Sequence, residues 1–358
     1  MSVLELPSPR LEEWRWADMG ALEAARAIKR RGGAVGTAGR IGTGPRLVFI
    51  DGYYDEDFSE PGDLEFTRVE MASDHPLGKH AAGHGFEFRF APGSAATGIE
   101  IEHVNVGEDA QLPLRFVLGD DAVVTVTETF TGAGWSNRLT QMELGKGARL
   151  MRSVRLLQDE GYVSIRDEAE VGEAASLVSI FLGAGGMGSR VDGQLTLTGK
   201  GAFAEMGGAL LTRGSQRQEA AVTLRHENVE GTSRQIWRAV ASDRSVASLA
   251  ARVEVARDAQ QTDGEQSLRG LLLTRGATVN LKPELEIFAD DVKCAHGATV
   301  GELDKRALFY LESRGIPESR AKALLTRAFV ADALARIGED AVREAFAKDA
   351  DAWLDGAL

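Results

Sequence analysis

Cys294 is the only cysteine among 358 residues, and His296 stands two positions beyond it. A thiolate and an imidazole are the softest donors the chain can offer a metal. If the run through Cys294 is a strand, residues i and i+2 point to one face, so both address one ion or cluster. A buried free cysteine behaves as a small hydrophobe, and spacing alone favours that plainer reading. A second group, His75, His80 and His84, lies in Asp74-His-Pro-Leu-Gly-Lys-His-Ala-Ala-Gly-His-Gly85. Its i, i+4 pair has the spacing by which metal ligands share a helix face. Pro76, Gly78, Gly83 and Gly85 argue against a helix there, so solvated loop histidines are expected, with metal binding or delivery as the alternative.

Other motifs carry less. Gly183-Ala-Gly-Gly-Met-Gly188 satisfies G-x-G-x-x-G after an apolar run. A dinucleotide site needs a helix next, to receive the pyrophosphate at its N-terminus. The succeeding run, Ser189-Arg-Val-Asp-Gly-Gln-Leu-Thr-Leu-Thr198, alternates like a strand, so the glycines read as a turn. Walker A, Gly-x-Ser-x-Gly, His-Glu-x-x-His and EF-hand patterns are missing. Acidic pairs such as Asp290-Asp291 can serve acid–base work, yet nothing separates them from turn carboxylates. The sequence therefore reads as non-enzymatic. A polysaccharide-active enzyme, which needs a cleft with suitably spaced carboxylates, is the contrasting possibility.

The elements that must hold these residues are mostly strands. No proline occurs between Pro113 and Pro283. Within that gap Gly-x-x-Ala turns recur at Gly119, Gly145, Gly172 and Gly199, spaced 26, 27 and 27 residues apart. A β-sandwich also has regularly spaced short strands, but a fixed period of this size with strands between turns favours a solenoid. Val123–Glu128, Leu150–Leu156, Leu177–Leu182 and Gln194–Thr198 are too short to stand as separate sheets and must stack coil on coil. The missing prolines fit this, because an interior ladder strand donates its N–H on every turn. Beyond Gly199 the period blurs.

Both ends differ from this core. Leu22–Arg31 is a helix candidate halted by Gly32-Gly33. Leu47–Ile50, Asp51-Gly52 and Tyr53-Tyr54 read as a hairpin. In the tail, Asp304 caps a helix carrying Ala307, Leu308 and Leu311, and Gly315 ends it. Pro317 opens another, with Leu324, Leu325, Ala328 and Phe329 on one face. Leu334, Ile337, Val342 and Phe346 continue the pattern toward Trp353. Such segments suit the capping of a solenoid's open ends. The expected division is an N-terminal helical and hairpin region over 1–92, a β-helix core over 93–293, and a C-terminal helical domain over 294–358.

Composition sets the outer limits. The chain is 43% apolar, 27% charged and carries a net charge of −13, which argues against a nucleic-acid backbone as partner. One cysteine excludes an intrachain disulfide and any Cys-rich site built by this chain alone. No apolar run approaches the length of a membrane span and the start lacks a secretory pattern, so a cytoplasmic chain is expected.

Leu271–Gly315 resembles the signature of the SufB/SufD family of iron–sulfur cluster assembly proteins. The matching run is Leu271-Leu-Leu-Thr-Arg-Gly-Ala-Thr-Val-Asn-Leu-Lys-Pro-Glu-Leu-Glu-Ile-Phe-Ala-Asp-Asp-Val-Lys-Cys-Ala-His-Gly-Ala-Thr-Val-Gly-Glu-Leu-Asp304, then Leu308-Phe-Tyr-Leu-Glu-Ser-Arg-Gly-Ile316. The uninterrupted Cys-x-His-Gly-Ala-Thr version is similar to the SufD type. Arg10-Leu-Glu-Glu-Trp-Arg-Trp-Ala-Asp18 and Gln260-Gln-Thr-Asp263 add to the likeness, while Asp74–Pro92 departs from it. The resemblance implies a right-handed parallel β-helix with helical N- and C-terminal segments. It implies a scaffold that pairs with SufB and binds the SufC ATPase, with a homodimer possible in isolation. His296 and Cys294 then match positions near the SufB–SufD interface where the nascent cluster forms, His296 being the stronger candidate ligand. Leu308, Phe309, Leu311, Leu324, Leu325, Ala328 and Phe329 match the helices that dock SufC. No cofactor is expected to stay on the chain alone. The cluster would be shared with SufB, and a flavin is a further candidate ligand of the complex.

Overall fold

The computed structural model describes residues 6–29 and 36–357. A 3-10 turn, Glu12–Trp14, precedes helix α1 (Met19–Arg26). Strands β1 (Arg46–Ile50), β2 (Tyr53–Glu60) and β3 (Thr67–Met71), helix α2 (Pro76–Ala81) and strand β4 (Gly83–Phe90) come next. The winding core comprises β5 (Ala95–Leu118), β6 (Val123–Leu144), β7 (Arg149–Leu156), β8 (Glu160–Val171), β9 (Ser176–Gly183), β10 (Gly188–Leu197) and β11 (Phe203–Thr212). It continues through β12 (Arg217–His226), β13 (Thr232–Ala241), β14 (Val246–Val255), β15 (Asp263–Leu272), β16 (Thr278–Ile287) and β17 (Lys293–Glu302). Helices α3 (Lys305–Ser313), α4 (Glu318–Leu334) and α5 (Asp340–Asp355) close the chain.

The core is a parallel solenoid. One ladder runs β5–β6–β8–β10–β12–β14–β16, and the other runs β5–β6–β7–β9–β11–β13–β15–β17. β6 serves both because it rounds a corner, pairing with β7 over Val123–Phe130 and with β8 over Ala133–Leu144. Strands continue to Glu302 and the first tail helix starts at Lys305, so residue 294 falls inside β17.

The turn between the ladders explains the sequence repeat. Asp121, Gly147, Ala174, Gly201, Glu230 and Gln261 all have φ between 53° and 67° and occupy the same turn in successive coils. Each N–H donates to a carbonyl of the next coil: Asp121 to Lys146, Gly147 to Glu173, Ala174 to Lys200 and Gly201 to Val229. The leading glycine packs on the coil before it. A Cβ at Gly172 would lie 2.5 Å from the Leu144 carbonyl oxygen, and one at Gly199 would lie 2.0 Å from the Glu173 nitrogen. Pairings Val123–Arg149–Ser176–Phe203 step by 26, 27 and 27 residues, as expected, and then Phe203–Thr232–Asp263 step by 29 and 31. The turn persists in these wider coils, with Asn228 and Ala259 where the glycine stood, so only its sequence signature fades.

The prolines bracket the interior as expected. Pro113 pairs with Leu139 on one side and lies just ahead of Leu114, where β4 begins to cover the other. Pro283 pairs with Ala251, and no strand among the described residues lies beyond β16. The G-x-G-x-x-G glycines form the turn from β9 to β10, with Gly186 at φ 72°. The Asp51-Gly52 hairpin joins antiparallel β1 and β2, both turn residues having positive φ. α1 starts earlier and ends sooner than Leu22–Arg31, and Arg30 to Gly33 lie outside the described residues.

Two features depart from expectation. The terminal helices cover the solenoid's sides rather than its last coil. Outward-facing Ile180, Leu182, Ala209, Leu211 and Val240 form an apolar flank that α4 and α5 bury with Val330, Leu334, Phe346 and Trp353. On the other sheet, Trp135 and Tyr162 receive Trp14, Met19 and Leu22. A flank of leucines demands cover, and amphipathic helices provide it there, leaving the far end open. The lumen, in turn, is not wholly apolar. Glu128 accepts from Arg152 Nε at 2.6 Å and Arg138 Nε at 3.1 Å, and Arg152 also reaches Asp167 at 2.5 Å. Burial acts to raise the Glu128 carboxyl, yet Arg138 and Arg152 hold it well below the carboxylate range. Burial holds His103, 3.1 Å from Glu128, down to about 4, so two acids face two guanidiniums around a neutral imidazole. Glu128→Leu strands Arg138 without a carboxylate and leaves Arg152 only Asp167. It is expected to cost about 3–5 kcal/mol, measured by urea unfolding.

Candidate functional site

The last coil builds the candidate site. β17 pairs on one side with β15 in the register Cys294–Gly264, His296–Gln266 and Ala298–Leu268. Gly264, Gln266 and Leu268 face the lumen and are buried, so the strand's alternation turns Cys294 and His296 to the same inner face. Cys294 is half-buried and packs on the core's edge, while His296 is exposed at the mouth. Gly264 leaves room behind the thiol: a Cβ there would meet Cys294 Sγ at 3.4 Å and Ser233 Oγ at 3.6 Å. Burial pushes the Cys294 thiol above its ordinary value, which keeps it protonated and weakly nucleophilic.

Behind His296 stand Gln266 and Gln235 on successive coils. Their amide nitrogens donate across the lumen to the carbonyls of Glu284 at 3.2 Å and Arg252 at 2.9 Å. Both Oε1 atoms are buried without a partner. Among the described residues no three His, Cys, Asp or Glu side chains converge as a metal site. Cys294 and His296 can therefore contribute at most two ligands, and a four-ligand cluster site requires donors from another chain.

The mouth is also an unfinished surface. The outer sides of β16 and β17 have no paired strand among the described residues. Phe288 and Val300 are 62% and 45% exposed there. Two residues after β17, Asp304 caps α3 by accepting from the Arg306 N–H at 2.8 Å, and Gly315 at φ 82° ends the turn beyond it, as the sequence indicated. α3 buries no residue, and Phe309 and Tyr310 are 72% and 58% exposed. Leu308 and Leu311 are half-buried. On α4, Leu324 and Leu325 are half-buried, Ala328 is exposed, and Phe329 leans on the flank cluster. The face that α4 buries is instead Ala321, Val330, Ala333 and Leu334. Charged clasps fix the tail helices to the solenoid, Arg238 with Asp332 and Arg155 with Asp349.

The histidine group resolves differently from the expected solvated loop. Pro76–Ala81 does form a helix, with Pro76 in its first turn and the His75 ring accepting from the Gly78 N–H at 3.3 Å. Leu77 and Ala81 bury against the sheet and sustain this short turn despite Gly78. His75 stacks on Trp14, His80 meets Trp135 edge-on, and His84 lies exposed in β4. Burial lowers His75 to about 4. The three rings serve separate surroundings and form no joint metal site.

Sequence reading missed the open end, because exposure of β16 and β17 depends on which flank the tail helices choose. The unpartnered Phe309 and Tyr310 at the start of that tail were the available signal.

Residues 104–329 match the family described as SUF system FeS cluster assembly, SufBD core domain. The iron–sulfur cluster assembly protein SufD of Escherichia coli is 39% identical over 121 residues, 34% of this chain and 29% of that protein. A SufBD family protein of Synechocystis is 24% identical over 397 residues, covering 94% of this chain and 85% of its own length. The chloroplastic protein ABCI7 of Arabidopsis thaliana is 30% identical over 246 residues, 65% of this chain and 50% of that protein. Among the described residues no helix is long and apolar enough to cross a membrane.

The half-buried, protonated thiol gives a direct check. Alkylation of Cys294 by iodoacetamide, monitored by mass spectrometry, is expected to be slower in the folded chain than in urea at the same pH.

Proposed function

We propose that this chain, which belongs to the SufBD core family of the SUF iron–sulfur cluster assembly system, acts there as a non-catalytic SufD-type scaffold. In this reading the open end of the solenoid receives a SufB-type partner, and the nascent cluster is the cargo assembled between them. The observation that carries the reading is the last coil. Its edge is unpaired, and it presents His296 and Cys294 at the mouth. A chain with one cysteine cannot complete a thiolate-held cluster, so the other ligands come from the partner. His296, being exposed, is the ligand; Cys294 lines the wall behind it.

The second contact is built on α3. An amphipathic helix that leaves Phe309 and Tyr310 in solvent has the form required for docking into a groove. We assign that face, with Leu308, Leu311, Leu324, Leu325, Ala328 and Phe329 around it, to a SufC-type ATPase. Since two residues separate β17 from α3, a load on the helix is delivered to the strand that carries His296.

Co-purification from cells expressing SufB- and SufC-type proteins tests the assignment, and a chain recovered alone would refute it. Phe309→Asp is expected to weaken SufC-type binding by roughly thirtyfold or more, the size of an interface hot spot, without lowering the urea midpoint. His296→Ala is expected to lower the cluster yield of anaerobic assembly while subunit association persists, and an unchanged yield would remove His296 from the site.

A further inference from the structure

A cavity of about 1250 Å³ lies away from the mouth, on the outer face of the sheet β6–β8–β10–β12–β14–β16. Residues 12–16 and 72–76 roof it. The roof is fastened: Arg190 stacks on Trp14 at 3.9 Å from the ring centre, and Lys282 Nζ holds Glu12 Oε1 at 2.7 Å. Along the floor, small Ala221 and Ala250 stand in register between Asp192 and Lys282 and leave a trough. Six strands, β6 to β16, at about 4.8 Å spacing make it about 24 Å long, the reach of about seven extended residues.

Its charge is unbalanced. Carboxylates outnumber cationic side chains among the lining residues by nine to six. The cations are mostly spent: Arg166 on Glu168, Arg190 on Asp192 and Glu219, and Lys282 on Glu12 and Glu284. Of the lining carboxylates, Glu13, Asp74, Glu143 and Glu170 have no ion-pair partner among the described residues. Glu143 and Glu170 are direct register neighbours on β6 and β8. Like charges facing each other across a ladder destabilise it, and no internal contact relieves this pair.

From these observations we infer that the trough binds an extended, basic peptide segment, one Lys or Arg side chain of which lies between Glu143 and Glu170. Size decides against a small molecule, because the cavity exceeds the range of about 300–1,000 Å³ that suits drug-sized ligands. Charge decides against a nucleotide or other anion, which the unpaired carboxylates would repel. The trough meets the open end only along β16, and no residue of β17 or α3, which carry His296 and Phe309, lines it.

The test measures binding of a fluorescent nonapeptide of alternating Lys and Ser by anisotropy at low salt, with the full chain. E143Q/E170Q is expected to weaken binding at least tenfold. E56Q/D57N, which removes the same charge from the distant β2 hairpin, is expected to leave it within twofold. Unfolding in urea should show the first variant at least as stable as the parent, because a like-charge pair is removed. Equal losses in both variants, or no binding by the parent at millimolar peptide, would overturn the inference. Spermine binding as tightly as the peptide would also overturn it, by making the trough a polyamine site.

Discussion

Everything in this protein hangs on the coil-on-coil backbone ladder. Alternate residues of each interior strand turn their N–H and carbonyl groups to the coil before and the coil after, so each coil is templated by its neighbours. The recurring left-handed turn keeps the coils in step. Where Gly172 and Gly199 lead that turn, the backbone of the previous coil passes too close for a side chain. Where Asn228 and Ala259 replace the glycine, the coil has widened and the constraint has relaxed.

A stack of this kind buries one apolar column in its lumen, and here the first coils interrupt that column with charge. Glu128, Arg138, Arg152 and Asp167 balance one another in a space without water contact. Such a group does little for net stability but penalises any slip of register, because a slipped coil leaves a buried charge alone. The flanks are handled by helices instead. α4 and α5 are both packed and clasped, whereas α3 is tethered to the last strand and buries nothing.

That arrangement leaves the molecule incomplete at one end. A ladder's last coil must be capped, handed to another chain or blunted by proline and charge, and β16 carries Pro283 between Lys282 and Glu284. The tail helices take the flank, so the edge of β16 and β17 stays unpaired among the described residues, and the two softest donors stand beside it. In the proposed scaffold role, that open edge gives the lone thiol and the imidazole a shared context that neither has by spacing alone.

Much of this was legible in the chain. The glycine period and the proline gap specify the solenoid, Asp51-Gly52 the hairpin, and Asp304 with Gly315 the limits of α3, because each is a local backbone demand that only certain residues meet. The alternation around Cys294 and His296 likewise places them on one face. Tertiary structure decided the rest. Whether Leu324 or Val330 faces the solenoid depends on which flank α4 finds, and His75 became a half-buried helix cap only because Trp14 packs against it. The trough with Glu143 beside Glu170 joins residues that are distant in sequence and adjacent only through register. Local residue patterns determine what each segment can bury; the stacking of coils, through contacts between distant segments, decides which surfaces remain for partners.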